Sequence, residues 1–161
     1  MKKNSSYKSF KDFKVLLVYP NIQMCEMMPY SIGLLTACLR KEGFTVDLFD
    51  TTFYVDKLND NYEAFHDYVQ EFDWKEKGRI FKSNIINDFH KKIEKFDPDI
   101  ISVSVVENTY PTAKRMIKSL PNSMKKIPII WGGVFATFAP HLILKDNIGD
   151  YICRGEGENA V

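Results

Sequence analysis

The sequence predicts an α/β domain. We expect a doubly wound, flavodoxin-like or Rossmann-like sheet of five parallel strands in the order 2-1-3-4-5, with an α-helical insertion after strand 2. Short, nearly continuous apolar runs recur along the chain, as in parallel strands that are buried on both faces. Segments with apolar residues at helical spacing separate these runs. The fourth run ends in Gly132 and Gly133, at the edge where ligands bind in open α/β sheets.

The composition is that of an ordinary globular domain. The chain has 161 residues, 45% hydrophobic and 27% charged, which suits one domain with a sizeable core. The formal net charge of +1 argues against a dedicated nucleic-acid surface. No apolar run approaches the roughly 20 residues of a membrane span. Residues 1–12 are polar and lack the apolar core of a secretory signal, so we expect a flexible leader and a cytoplasmic protein.

The first third of the chain predicts a βαβ unit. Lys14–Tyr19 is an apolar strand that a proline stops. A sulfur-rich loop covers residues 21–30. Ser31–Lys41 then has apolar residues at helical spacing, with Gly43 as the C-terminal cap. Phe44–Phe49 is the second strand, and the three elements together form the unit.

Residues 51–78 interrupt the alternation. This segment is rich in aromatic and charged residues and is longer than an ordinary connection. Within it, Asp56–Phe72 predicts an amphipathic helix. Two interpretations stay open. The insertion packs over the sheet edge or toward a partner, or its helix buries an apolar stripe on the domain itself.

The remaining chain continues the alternation to a fifth strand. A helix over Arg79–Phe96 leads into a central strand, Asp99–Val106. The later elements are, in order, a helix over Pro111–Leu120 capped by Thr109, a strand over Ile127–Trp131, a short helix over Phe138–Lys145 and a strand over Tyr151–Cys153. Residues 157–161 resemble the first turn of another helix, so we expect a fragment of a longer protein, cut near a domain boundary.

The crevice of this sheet lies between strands 1 and 3, where the strand order reverses. The loops over residues 20–30, 105–110 and 132–137 would ring it, with Ser102 and Ser104 in its lining. The sequence has no GxxxxGK[ST] loop and no GxGxxG after the first strand, which excludes a P-loop NTPase and disfavours a standard dinucleotide fold. No general base is evident, so the crevice favours binding over catalysis.

Residues for covalent or metal chemistry are sparse. No CxxC or CxxxCxxC spacing occurs, so neither a zinc ribbon nor a self-contained iron–sulfur site is encoded. No Ser–His–Asp or Cys–His arrangement is suggested by the spacing, and we expect surface histidines and free thiols. The residues concerned are Cys25, Cys38, Cys153, His66, His90 and His141.

Four stretches occur here in one combination. The first is Pro29–Leu35, which leads into Leu39–Val46 and Asp50, and the second is Asp97–Ser104. The third is Trp131–Thr137, which is close to the motif GGxHxT with Phe135 at the histidine position. The fourth is Asp150–Glu158. Together they resemble the N-terminal cobalamin (B12)-binding domain of B12-dependent radical SAM enzymes. The resemblance covers roughly residues 13–161.

The resemblance implies cobalamin as the cofactor. The wider B12-binding fold carries DxHxxG, SxL and GG, and its serine and glycines accommodate the dimethylbenzimidazole tail. Ser102 and the glycine pair match the last two motifs, whereas DxHxxG is absent and Met28 falls near the position of the cobalt-ligating histidine. Cobalamin would then be bound with its own base displaced and no histidine beneath the cobalt. The expected cofactor-binding residues are Pro20, Asn21, Met28, Ser102, Ser104, Glu107, Gly132, Gly133, Val134 and Gly155, with no catalytic residue and no metal ligand.

The resemblance also implies a partner domain. In the family, the B12 domain presents its cofactor to a C-terminal radical SAM domain, whose [4Fe-4S] cluster cleaves S-adenosylmethionine for methyl transfer or related radical chemistry. These 161 residues would not be catalytic alone. Two alternatives stay open: the same fold without a cofactor, serving as an interaction or scaffold domain, and a flavin-binding flavodoxin-like domain. The flavin alternative ranks last because the first loop lacks a Ser/Thr-rich phosphate cradle.

Overall fold

The computed structural model describes residues 12–21, 29–54 and 82–160. Its five strands form one parallel sheet in the order β2-β1-β3-β4-β5, which confirms the predicted fold and strand order. The strands are β1 (Lys14–Tyr19), β2 (Thr45–Asp50), β3 (Ile100–Ser104), β4 (Ile129–Gly132) and β5 (Tyr151–Ile152). The helices are α1 (Tyr30–Lys41), α2 (Ile85–Phe96), α3 (Tyr110–Lys118), α4 (Gly133–Phe138) and α5 (Pro140–Asp146), and a 3-10 turn spans Gly157–Asn159.

The larger of two hydrophobic cores lies on one face of the sheet. Side chains alternate between faces along a strand, so Leu16 and Val18 of β1 point into this core. The buried sides of α2, α3 and α5 cover it, and its largest fully buried residues outside β1 include Trp131, Phe89 and Met116. Among the described residues, helices therefore cover this face of the sheet.

The smaller core lies on the opposite face. Val15, Leu17 and Tyr19 of β1 pack there against Ile32 and Leu39 of α1. Among the described helices, α1 is the one with buried residues in this core. The part of this face formed by β3 and β4 extends beyond α1, and there the sheet is open enough to form a cleft.

Two predicted helices differ from the structure. The helix predicted over Arg79–Phe96 begins at Ile85, because the side chain of Asn84 accepts a hydrogen bond from the Asn87 N–H and caps the first turn. Residues 79–81 lie outside the described part, and Lys82 pairs with Tyr54 in an isolated parallel bridge. Helix α2 is therefore shorter than its apolar spacing indicates.

The short helix predicted over Phe138–Lys145 corresponds to α5, which begins two residues later, and the helix before it, α4, was not predicted. α4 begins directly at Gly133, and α5 begins at Pro140. Between them, Ala139 has φ −126° and ψ 44°, because the residue before a proline is disfavoured in the helical region. The other predicted element boundaries agree with the structure to about two residues, which is the normal uncertainty of helix and strand ends.

The predicted insertion falls mainly on residues that the structure does not describe. The helix expected over Asp56–Phe72 lies outside the described residues, so the insertion stays a prediction. Where the described chain resumes, the Lys82 N–H donates to the Phe53 carbonyl oxygen at 2.9 Å, so the two ends of the segment lie side by side. No helix within the described ranges is long and apolar enough to cross a bilayer.

Candidate functional site

A cleft of about 1080 Å³ opens at the carboxyl edge of the sheet. β1, β3 and β4 form its floor, α1 forms one wall, and α4 with residues 153–160 forms the opposite rim. The volume matches the largest small-molecule and cofactor sites, which reach roughly 1,000 Å³. This is the edge at which open α/β sheets bind ligands.

Small side chains form the floor of the cleft on β3 and β4. Ser102 and Ser104 alternate with Ile101 and Val103, so the serines face the cleft while the apolar residues are buried in the larger core. Gly132 is paired in register with Ser104 on the neighbouring strand. Hydroxymethyl groups beside a residue without a side chain leave the backbone accessible to a bulky ligand.

The two glycines at the end of β4 have different roles. Gly133 has φ +88°, and a Cβ there would lie 2.6 Å from the carbonyl oxygen of Val105 and 2.8 Å from its nitrogen. Gly132 has an extended backbone (φ −137°, ψ −172°), and a Cβ there would lie 4.0 Å from its nearest neighbour, the Cβ of Cys153. The turn into α4 therefore requires glycine at Gly133, whereas Gly132 leaves open space beside the cleft.

A buried hydrogen-bond network fixes the end of β1, where Pro20 and Asn21 line the cleft. The Asn21 N–H donates to Thr51 Oγ1 at 2.7 Å, and the Thr51 hydroxyl donates to the Asn21 carbonyl oxygen at 2.8 Å. Asn21 Nδ2 donates to Thr52 Oγ1 at 2.9 Å, and the Thr52 hydroxyl donates to Asp50 Oδ1 at 2.6 Å. This network joins the ends of β1 and β2 and holds Asn21 at the cleft.

The loop after β3 contributes Val106, Asn108 and Thr109 to the cleft. Thr109 precedes α3, as predicted for a cap. Its hydroxyl, however, closes the loop on Val106, accepting from the N–H at 3.1 Å and donating to the carbonyl oxygen at 3.2 Å. Glu107 is exposed and is not among the described residues that line the cleft.

Residues 153–158, which we call the C-terminal strap, run along the rim of the cleft. Gly155 has φ +84°, and its N–H donates to Thr137 Oγ1 of α4 at 3.0 Å. Further along, Gly157 lies against α1, where a Cβ would come within 2.9 Å of Leu35 Cδ2. The strap therefore connects the rim of the cleft at α4 with the wall at α1.

The cleft carries little charge. Its described lining contains no lysine, arginine or histidine, and its charged residues are Glu156 and Glu158 on the strap. A phosphate-rich nucleotide cofactor is usually held by cations or by a glycine-rich phosphate loop. In the part of the chain that the structure describes, no group of three or more His, Cys, Asp or Glu residues is placed to hold a metal ion. This lining suits a large ligand of low net charge.

A polar cluster behind the glycine turn joins α3 to α5. The Tyr110 hydroxyl and Lys114 Nζ each donate to the carboxylate of Asp146 at 2.6 Å, and the Tyr110 ring lies 4.6 Å from that of Phe135 in α4. Burial and the hydrogen bond to Asp146 raise the pKa of Tyr110, while hydrogen bonds from Lys114 and Tyr110 lower the pKa of Asp146. The cluster supports α4 from the side opposite the cleft.

Most of the predicted site residues meet in this cleft. Those that line it are Pro20, Asn21, Ser102, Ser104, Gly132, Gly133, Val134 and Gly155. Glu107 does not, and Met28 lies outside the described residues. Their contact with a cofactor stays a prediction.

Several lining residues were not among the predicted cofactor-binding residues, although Tyr30, Asn108 and Thr137 belong to the three loops that were predicted to ring the crevice. Tyr30 and Leu34 of α1 are 82% and 49% exposed beside the cleft, although helical spacing alone had suggested only a core-facing stripe. Asn108, Thr137 and Cys153 also line the cleft. Thr137 and Cys153 belong to the motifs WGGVFAT and DYICRGEGE, so the signal was present in the sequence without an assigned role.

Comparison with known proteins identifies the domain. A family model for the B12 binding domain matches residues 26–161, which is most of the chain. The chain belongs to the B12-binding domain family. Over 73 residues it is 33% identical to an uncharacterized methyltransferase from Pyrococcus horikoshii, a match that covers 45% of this chain and 16% of that protein.

Solved structures share the fold of this B12-binding domain. Two are of the radical S-adenosylmethionine methyltransferase TsrM from Kitasatospora setae, one with tryptophan substrate and a SAM analogue and the other with cobalamin and a [4Fe-4S] cluster. They match 91% and 92% of this chain at 24% identity, with TM-scores of 0.61 and 0.62. The chain spans 24% and 23% of the length of those chains, so the likeness concerns the fold of one part of them.

Proposed function

We propose that this B12-binding domain binds cobalamin in the cleft at the carboxyl edge of its sheet. The observation that carries the proposal is the cleft itself: about 1080 Å³, without cationic side chains in its described lining, and floored by serines and an accessible glycine. Cobalamin is large, has many neutral amides and carries little net charge, so the residues present fit it. Membership of the B12-binding family supports the same ligand.

The residues of the cleft would divide the work of binding. Ser102 and Ser104 offer hydroxyls that can donate or accept hydrogen bonds, and Gly132 lets a flat heterocycle approach the backbone. Leu34 and Val134 offer exposed apolar surface on the two sides of the cleft. Cobalamin, when bound, supplies a cobalt centre that can carry a methyl group.

We further propose that this chain would hold cobalamin without a histidine ligand, in the base-displaced form that the family resemblance implies. His90 Nε2 lies 3.0 Å from Ser119 Oγ on the helix-covered face of the sheet, and His141 is exposed on α5. Neither lines the cleft, and His66 lies outside the described residues. The described lining therefore offers no imidazole to cobalt.

The activity of the whole protein is a separate proposal. This chain matches 16% of the length of the methyltransferase from Pyrococcus horikoshii and about a quarter of the length of each TsrM chain. TsrM is named a radical S-adenosylmethionine methyltransferase. We propose that this chain is one domain of a longer protein, which also has a radical SAM domain with a [4Fe-4S] cluster and S-adenosylmethionine. The B12-binding domain would present cobalamin to that radical SAM domain for methyl transfer or related radical chemistry.

Titration of the purified chain with hydroxocobalamin and methylcobalamin, followed by visible absorption, tests cobalamin binding. We expect a saturable base-off spectrum and corrinoid that remains after desalting, with no binding of flavin mononucleotide under the same conditions. Gly132→Val should weaken binding because its side chain would enter the cleft. If the folded wild-type chain retains no corrinoid, the proposal is wrong and the cofactor-free scaffold function is favoured.

A further inference from the structure

The hydroxyl of Thr137 holds two parts of the cleft rim together. Thr137 Oγ1 donates to the carbonyl oxygen of Gly133 at 3.0 Å and accepts from the N–H of Gly155 at 3.0 Å. Gly133 is the first residue of α4, and Gly155 lies in the C-terminal strap. A single hydroxyl has one proton to donate and lone pairs to accept, so both bonds form at once.

The backbone of the strap suits this contact. Gly155 has φ +84°, a backbone conformation that residues other than glycine rarely adopt. A Cβ there would meet nothing within 4 Å. The glycine is therefore required by the backbone path and not by crowding. That path directs the Gly155 N–H at Thr137.

The strap borders the cleft at both α4 and α1. Beyond Gly155 the strap reaches α1, where Gly157 packs against the side chain of Leu35. Thr137, Gly155, Gly157 and Leu35 all line the cleft. The strap thus spans the cleft between α4 and α1. Among the described contacts, the hydrogen bond from the Gly155 N–H to Thr137 Oγ1 joins the strap to a side chain of α4.

We propose that Thr137 is a positioning residue for the cofactor, because it holds the C-terminal strap against the glycine turn that borders the site. This inference rests on the proposed function, since cobalamin is the ligand whose binding it would tune. Without the hydroxyl, the strap loses its connection to α4 and must be ordered when the ligand binds. That ordering lowers affinity.

The chain offers a matched control for this hydroxyl. Thr36 in α1 makes the same local bond, its Oγ1 donating to the carbonyl oxygen of Ile32 at 2.7 Å, and it is half-buried like Thr137. Thr36 does not line the cleft. Thr137→Val and Thr36→Val therefore remove the same helical hydrogen bond, and only the first removes the contact with the strap.

The test compares cobalamin affinity, thermal midpoint and exchange of the Gly155 amide hydrogen in both variants. We expect Thr137→Val to raise the Kd by about three- to tenfold, the range expected from one lost hydrogen bond, and Thr137→Ser to restore it. Thr36→Val should leave the Kd unchanged, although its thermal midpoint should be similar to that of Thr137→Val. In the ligand-free chain, the Gly155 amide should exchange faster in Thr137→Val only.

Each outcome is decisive. An unchanged Kd in Thr137→Val, or an equal loss of affinity in Thr36→Val, overturns the inference. If Thr137→Val does not fold, Thr137→Ala replaces it, because alanine removes the hydroxyl with no branched side chain in the helix. If the wild-type chain binds no cobalamin, the proposed function fails, whereas exchange of the Gly155 amide still shows whether Thr137 holds the strap.

Discussion

Replacing each glycine of the pair separately should divide folding from ligand binding. Alanine at position 133 would take a positive φ, which costs roughly 1–2 kcal/mol for a residue with a Cβ. The new Cβ would also overlap backbone atoms of Val105 at 2.6 and 2.8 Å, which cannot rotate away as a side chain can. To relieve the overlap, the chain must weaken the bonds from Phe135 N–H to Val105 O (3.1 Å) and from Val105 N–H to Gly132 O (3.0 Å).

We therefore expect Gly133→Ala to lower the free energy of unfolding by about 3–4 kcal/mol, counting about 1 kcal/mol for each hydrogen bond. For a domain of this size, that corresponds to a thermal midpoint lower by about 10 °C. Gly132→Ala should change stability by less than about 1 kcal/mol, because its backbone is extended and a Cβ there has room. Gly132→Val should weaken cobalamin binding at least tenfold and leave the chain folded.

Urea unfolding and cobalamin titration of these variants are the assays. Gly33→Ala is the control: Gly33 is exposed in α1, and a Cβ there would meet nothing within 4 Å. It should stabilise the chain by roughly 0.5–1 kcal/mol without changing affinity. If the free energy of unfolding of Gly133→Ala is within about 1 kcal/mol of the wild-type value, the reasoning about the turn is wrong. Unchanged affinity in Gly132→Val would show that the ligand does not approach this strand end.

Three further predictions concern stability. Asp146→Asn weakens the bond to Tyr110 and should cost about 1 kcal/mol at pH 7 in urea unfolding. Because folding lowers the pKa of Asp146, its contribution is fully present above the unfolded value near 3.8 and is lost as the pH falls through the lower pKa of the folded state. The difference between the two proteins should therefore shrink as the pH falls below 3.8, and a constant difference would contradict this origin. Thr51→Val leaves the buried Asn21 N–H without this acceptor and should cost about 1–3 kcal/mol by the same assay, whereas an equal stability would show that the network adds nothing. Replacing residues 55–81 with a short Gly-Ser linker should preserve cooperative unfolding, because Phe53 and Lys82 on its two sides are already hydrogen-bonded to each other. A variant without a cooperative transition would show that the segment is part of the core.

The sheet could be predicted from the sequence because its signals are local and strong. Continuous apolar runs such as Lys14–Tyr19 indicate strands buried on both faces, and the helical segments between them impose parallel connections. The start of α2 could not be read in this way. Apolar spacing extends upstream of Ile85, and the helix begins where the Asn84 side chain caps it.

The cleft was predictable at the strand ends and less so on its walls. Ser102 and Gly132 follow from strand alternation and from the rule that ligands bind at the carboxyl edge. The different roles of Gly132 and Gly133 depend on φ angles and on the distance to Val105, which residues that are far apart in sequence determine. The hydrogen bond between Thr137 and Gly155 is likewise a tertiary contact, 18 residues apart in sequence.

The most direct test of cobalamin binding in this cleft is a titration of the isotope-labelled 161-residue chain with methylcobalamin, whose cobalt(III) is diamagnetic, followed by amide chemical shifts. We predict saturable shifts at Ser102, Ser104 and Gly132, which border the cleft. Amides of α2, such as those of His90 and Lys92 on the opposite face, should not move. Shifts confined to α2, or no shifts at all with excess methylcobalamin, would contradict the account.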